Sequence, residues 1–185
     1  MDDGDWFADG VRFVYQSGLM NGTDGGANTG GVMLFSPHLP VTRGMVVTVL
    51  YRMAGGPDVS EFENPFDDVE DGQWYTDAVV WAAANSLANG YGGGRFGPGD
   101  SVTRGQLAVL LYNYQQFSGG IPADVTDEIE FDDADSISAW AAEAVAALVR
   151  QGLLTGRPGN VFDPKAGATR AEFAVVLLRY FTALA

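Results

Sequence analysis

An internal threefold repeat is the feature that most constrains how this chain can fold. Three tryptophans each stand 16 residues before a glycine, and a Phe, a Pro and a Thr follow with the same mutual spacing in all three copies. The first copy carries seven extra residues between the Gly and the Phe. Such a period predicts three tandem supersecondary units. The repeated positions are Trp6, Trp74 and Trp140; Gly22, Gly90 and Gly156; Phe35, Phe96 and Phe162; Pro37, Pro98 and Pro164; and Thr42, Thr103 and Thr169.

Each unit contains the pattern of two helices. The first helix follows the Trp, and its apolar residues recur with a 3.6-residue period, as in the segment 141–149. A left-handed cap is predicted to close this helix at Gly18 and Gly152, with Ser86 at the same place in unit two.

The second helix of each unit is predicted to begin at a threonine N-cap. In two units a Gln or Glu three residues later completes a capping box, and these pairs are Thr103 with Gln106 and Thr169 with Glu172. Thr42 is followed by Met45 at that position, so the cap of unit one is incomplete. The turns that follow are apolar almost all round, which predicts that these helices are buried.

These signals predict an all-α fold of three tandem helix-loop-helix repeats, arranged with pseudo-threefold symmetry around a shared helical core. We expect the repeats to span 1–54, 66–118 and 131–185 and to form one compact domain, because one helix pair cannot bury its apolar face alone. An aromatic-acidic lead-in opens units two and three at Phe66 and Phe131 but has no counterpart in unit one. We therefore expect the chain to start inside its first repeat and to be part of a longer protein.

Composition excludes several classes of function. The net charge of −14 argues against binding to nucleic acid or to an anionic membrane surface, since both require clustered Lys and Arg. The absence of Cys and the single His38 leave no thiolate nucleophile, no Ser-His-Asp triad and no His- or Cys-based metal centre. No run of apolar residues is long enough to span a bilayer, and we expect no export signal within these residues.

Three weaker motifs favour structural interpretations. The segment "GYGGGRFG" matches a dinucleotide fingerprint only formally, because it follows a helix instead of a strand. The stretches "DDVEDG" and "FDDADS" lack the closing Glu of a calcium loop, which favours solvated lead-ins over a Ca²⁺ site. No spacing of carboxylates singles out a pair for glycoside hydrolysis, so we expect neither catalysis, nor a cofactor, nor a metal.

An arginine follows the N-cap threonine in every repeat, at Arg43, Arg104 and Arg170. A cation on the first turn of a helix is disfavoured by a few tenths of a kcal/mol. Its presence in all three repeats therefore needs an explanation. One reason is structural pairing with the acidic residues nearby. The other is anion binding, in which a ligand would meet free backbone N–H groups and a bidentate guanidinium fork.

The repeat pattern resembles the S-layer homology domain, which normally occurs as three tandem copies. The best single copy is "FDDVEDGQWYTDAVVWAAANSLANGYGGGRFGPGDSVTRGQLAVLLYNY", and the T-R-A-E motif is intact at Thr169–Glu172. The resemblance implies a three-pronged spindle with ligand grooves between adjacent repeats. It also implies a non-catalytic, extracellular anchor that binds secondary cell-wall polysaccharide linked to peptidoglycan, often through a pyruvylated N-acetylmannosamine end.

The resemblance also implies which residues line the grooves. They are Arg43, Arg104 and Arg170; Trp6, Trp74 and Trp140; Gly22, Gly90 and Gly156; and Asp5. Only unit one offers the acid before the Trp, since Gln73 and Ala139 replace it elsewhere, so the three grooves are not expected to be equivalent.

Alternatives remain open for these residues. The tryptophans suit either stacking on a sugar face or packing in the core. The glycines are expected to be turn residues that need positive φ. The rival function is a self-assembly module that contacts other surface-layer subunits.

An anionic polymer and an acidic chain attract each other only locally. Binding would then act over about 8–10 Å, one Debye length, through arginines held at helix N-termini.

Overall fold

The computed structural model describes residues 4–23, 34–120 and 130–185, and its secondary structure is helical. The helices are α1 (Ala8–Gln16), α2 (Arg43–Met53), α3 (Thr76–Ala84), α4 (Arg104–Ser118), α5 (Ala139–Arg150) and α6 (Arg170–Ala183), with one 3₁₀ turn at Ala134–Ser136. The described residues form only isolated β-bridges and no strand. The all-α prediction, with two helices per repeat, is confirmed.

The helix ends follow the signals in the sequence. Full capping boxes close the N-termini of α4 and α6, and the Thr42 side chain accepts only from the backbone N–H of Met45. Left-handed residues end the first helices as predicted, at Gly18 (φ 69°), Ser86 (φ 57°) and Gly152 (φ 69°). Local sequence therefore accounts for the starts of the second helices and the ends of the first helices.

Helices pack between repeats. The second helix of each repeat packs against the first helix of the next: α2 against α3, α4 against α5, and α6 back against α1. A Cβ on Gly10 would lie 2.9 Å from the backbone nitrogen of Val175, so a glycine lets α1 approach α6 closely. The three repeats therefore share one apolar core.

A ring of backbone hydrogen bonds joins the residues that precede α2, α4 and α6. Val41 donates to Ala168, Val102 donates to Val41, and Ala168 donates to Val102, each over 2.9 Å. All three residues are fully buried. The ring links the start of each second helix to the starts of the other two. An overall pseudo-threefold spindle stays a prediction.

The acidic lead-ins of units two and three hold the loop before each second helix. The Asp68 carboxylate accepts from the N–H groups of Phe96 and Gly97, and the Asp133 carboxylate accepts from those of Phe162 and Asp163, over 2.7–2.8 Å. Desolvation acts to raise the pKa of both carboxylates, but these N–H donors outweigh it and lower the pKa. The lead-ins are therefore structural clamps.

The described residues include neither a helix long and apolar enough to cross a membrane nor a group of three or more His, Cys, Asp or Glu suited to a metal ion.

Replacement of Asp133 by Asn tests the clamp. At pH 7 the variant should lose about 1.5–2 kcal/mol of unfolding free energy, the lower part of the range for bonds to a charged group. Because the folded-state pKa is lowered, this stabilisation is present above the ordinary Asp pKa and is lost as the pH falls below it. Urea denaturation at pH 7 and pH 3 should therefore show a smaller difference from wild type at pH 3. Asp135→Asn, on an exposed carboxylate of the same lead-in, is the control, and equal losses in both variants would contradict the clamp.

Candidate functional site

The three motif arginines make the same pair of bonds to the loop of the next repeat. In each, Nε and Nη2 donate to two backbone carbonyls, and the guanidinium is buried. The acceptors are Phe96 (2.9 Å) and Asn89 (2.8 Å) for Arg43; Phe162 (2.8 Å) and Thr155 (2.7 Å) for Arg104; and Phe35 (2.8 Å) and Asn21 (2.6 Å) for Arg170. Among the described residues, Nη1 of each guanidinium has no backbone partner.

A phenylalanine of the next repeat lies against each guanidinium. The distances from Cζ to the ring centroid are 4.6 Å for Arg43 on Phe96, 4.8 Å for Arg104 on Phe162 and 4.5 Å for Arg170 on Phe35. Desolvation is the main cause that lowers the pKa of all three arginines, which nevertheless stay charged at neutral pH. Each guanidinium is thus a fixed charge in a partly apolar setting.

The expectation that an anion would meet free N–H groups at these helix N-termini is wrong. The first two N–H groups of each helix donate to carbonyls of another repeat, and the N-cap threonine takes the third. In α2, for example, Arg43 donates to Asp100 and Gly44 to Pro98, both over 2.9 Å. The ring of repeats uses these donors itself, so the guanidinium is the group left for a ligand.

Two cavities each combine an Arg, a Gly and a Trp from three different repeats. Groove A, of about 490 Å³, contains Arg170, Gly22 and Trp74. Groove B, of about 400 Å³, contains Arg104, Gly156 and Trp6. The predicted residues therefore do meet, although each groove draws on all three repeats instead of two. The remaining Arg and Gly define site C, where Arg43 bonds to Asn89 in the loop that contains Gly90.

The three tryptophans stand at the surface. Trp6, Trp74 and Trp140 are 64%, 59% and 61% exposed, and the first two meet the following aromatic residue edge to face. Core packing, one of the two interpretations left open, is therefore excluded for these side chains. Asp5 precedes Trp6 but does not line either cavity.

Two of the motif glycines are needed for close packing. Neither Gly90 nor Gly156 has positive φ, so that expectation is wrong for both. A Cβ would lie 2.5 Å from the Phe66 ring at Gly90 and 2.7 Å from the Phe131 ring at Gly156. The lead-in phenylalanines therefore require glycine there.

The residue three positions after the N-cap Thr, and so two after the motif Arg, faces the Arg of the preceding repeat in both grooves. In groove A this residue is Met45, whose Sδ lies 3.9 Å from Nη1 of Arg170. In groove B it is Glu172, whose Oε1 lies 3.2 Å from Nη1 of Arg104 and 2.8 Å from Nη2 of Arg157. This difference between Met45 and Glu172 is visible in the sequence, but only the fold shows that each residue faces a motif Arg inside a groove.

Other groove residues had escaped the sequence analysis. Arg52 lines groove A, and Arg157 and Arg179 line groove B. Thr48, in groove A, is 95% buried, and its hydroxyl has no hydrogen-bond partner among the described residues. Arg52 and Arg179 each stand nine residues after a motif Arg, so a longer comparison of the repeats would have revealed them.

Comparisons with known proteins agree with this architecture. The family model of the S-layer homology domain matches residues 1–44, 65–108 and 130–174. The amylopullulanase of Thermoanaerobacterium thermosulfurigenes is 31% identical over 77% of this chain and 8% of its own length. A cellulosome-anchoring protein of Acetivibrio thermocellus is 28% identical over 79% of this chain and 33% of its own length. The S-layer protein sap of Bacillus anthracis is 27% identical over 91% of this chain and 19% of its own length.

The chain thus spans a third or less of each of these relatives. The three family matches cover its three repeats, including the Trp, Gly and TR positions that the grooves use. The chain therefore belongs to the S-layer homology domain family, whose members serve to anchor proteins at the cell surface.

Proposed function

We propose that this chain is a non-catalytic module that anchors a surface protein to the bacterial envelope by binding the anionic glycan end of a secondary cell-wall polysaccharide. The observation that carries the proposal is the meeting of a fixed guanidinium and an exposed Trp in one cavity, seen in grooves A and B. An Arg held by two carbonyls is already ordered, so little side-chain entropy is lost when it binds a carboxylate.

The size and composition of the grooves suit a sugar with an acidic group. Their volumes of about 490 and 400 Å³ lie in the range of small-molecule sites. An exposed indole offers a flat apolar face for the C–H side of a sugar ring. A pyruvate ketal would supply the carboxylate, and its attraction to the buried Arg would be local enough to outweigh the net charge of −14.

The relatives fit this role. One is named for anchoring the cellulosome and another is a surface-layer protein. The second name is also consistent with the rival function, in which the repeats contact other protein subunits of a surface layer.

A sedimentation assay separates the two functions. The chain should co-sediment with purified wall sacculi and lose that binding after the secondary polymer is stripped from them. Retention on stripped sacculi, or concentration-dependent association of the chain with itself under the same conditions, would instead support the rival function.

The exposed tryptophans allow a test that spares the fold. Trp74→Ala should weaken binding to intact sacculi, because groove A loses its aromatic face. Its unfolding free energy should stay within about 0.5 kcal/mol of wild type, as for most surface changes. Phe62→Ala, at another exposed aromatic residue outside both grooves, is the control. Equal binding by the two variants would contradict the stacking role.

Arginine variants need a measure of stability beside the binding assay. Arg104→Ala removes the donor from the carbonyls of Phe162 and Thr155, so urea denaturation should show a loss of about 2–4 kcal/mol. Arg95→Ala, which removes an exposed ion pair with Asp100, should cost about 1 kcal/mol or less. Similar losses in both variants would show that the buried bonds contribute little.

A further inference from the structure

A second arginine lines each groove. In both grooves it donates to the backbone carbonyl of a leucine at the equivalent position of its repeat. Arg52, in groove A, donates from Nη1 to the carbonyl of Leu19 over 2.8 Å. Arg179, in groove B, donates from Nη1 to the carbonyl of Leu153 over 3.3 Å. Each acceptor lies just after the first helix of its own repeat. These bonds hold the second arginine in the wall of the cavity that the motif Arg also lines.

The repeat that supplies Gly90 has a neutral residue at this position. Asn113 stands nine residues after Arg104, and its Nδ2 donates to the carbonyl of Leu87 over 3.0 Å. The Asn therefore makes the same structural bond as Arg52 and Arg179 but brings no charge. The chain itself thus offers a natural comparison between a charged and an uncharged version of one position.

Site C also differs in what covers the motif Arg. The Tyr91 ring lies 4.5 Å from Cζ of Arg43, and the Phe96 ring lies 4.6 Å from it. At the position of Tyr91, directly after the motif glycine, groove A has Thr23 and groove B has Arg157. Site C thus adds a second ring, that of Tyr91, to the phenylalanine that lies against every motif Arg.

Both grooves retain an excess of positive charge. The described residues that line groove A include two arginines and no acid. Groove B contains three arginines and one acid, Glu172, which bonds to Arg104 and Arg157. Arg157 also pairs with Asp163 at 2.5 Å. Among the described residues, Arg179 bonds to Leu153 and Thr155 and to no carboxylate. Burial lowers the pKa of Arg170, and no acid among the described residues that line groove A opposes this shift.

We propose that grooves A and B each bind one anionic glycan end through a pair of arginines, Arg170 with Arg52 and Arg104 with Arg179, and that site C binds none. This inference rests on the proposed function and adds two things to it. It names Arg52 and Arg179 as residues that recognise the acidic group, and it sets the stoichiometry at two ligands per chain.

Matched substitutions isolate the charge of the second arginine. Arg52→Asn and Arg179→Asn copy the residue found at Asn113, so each can keep a bond to its leucine carbonyl. Arg12→Asn is the control, since it removes the same charge from an exposed pair with Asp9 on α1. Thermal unfolding of each variant establishes that it is folded before binding is measured.

Isothermal titration with the methyl glycoside of 4,6-pyruvylated N-acetylmannosamine is the measurement. Wild type and Arg12→Asn should bind two equivalents, while each Asn variant should keep one site and weaken the other by about tenfold or more, a change of about 1.4 kcal/mol. The neutral pyruvate methyl ester is the second probe. Wild type should prefer the acid to the ester, and the double variant should lose that preference.

Indole N–H resonances report which groove is occupied. The signals of Trp74 and Trp6 should shift on titration, and that of Trp140 should not. A stoichiometry of one or three, or wild-type binding of the acid by both Asn variants, would overturn the arginine pairs and leave the proposed function standing. Failure of the wild-type chain to bind the acid at all would overturn both.

Discussion

The structure depends on an arginine at the start of every second helix that bonds to the loop of the next repeat. Arg43, Arg104 and Arg170 each reach two backbone carbonyls across a repeat boundary. A cation on the first turn is unfavourable for its own helix, and that small cost is offset because buried carbonyls gain charged donors. The same bonds fix the guanidinium, which becomes a ready partner for an anion.

The cyclic order of contacts explains why recognition and folding are linked. Each second helix packs on the first helix of the following repeat, and a ring of backbone bonds at Val41, Val102 and Ala168 joins the three helix starts. A groove therefore takes its Arg, Gly and Trp from three repeats, and an isolated repeat would contain no complete groove. Three tandem copies are the smallest unit that can form such a site.

Sequence was sufficient for the local features, and the family resemblance named the Arg, Gly and Trp that meet in grooves A and B but not the other residues that line them. Capping pairs such as Thr169 with Glu172, and the left-handed cap at Gly152, follow from short-range chemistry, so they could be predicted. The use of helix N–H groups by a neighbouring repeat could not be predicted, because those contacts join residues more than 50 positions apart. For the same reason the sequence shows only that Met45 leaves the cap of unit one incomplete. The fold shows in addition that Met45 places a sulfur, and not a carboxylate, beside Arg170.

A crystal structure of the chain with the pyruvylated saccharide would test the central claim most directly. The account predicts that the carboxylate lies about 2.7–2.9 Å from the guanidinium of the motif arginine in groove A or B, the distance of a charge-assisted bond. It also predicts that the sugar ring rests on the exposed indole of the same groove. A saccharide bound away from all three motif arginines, with both grooves empty, would contradict it.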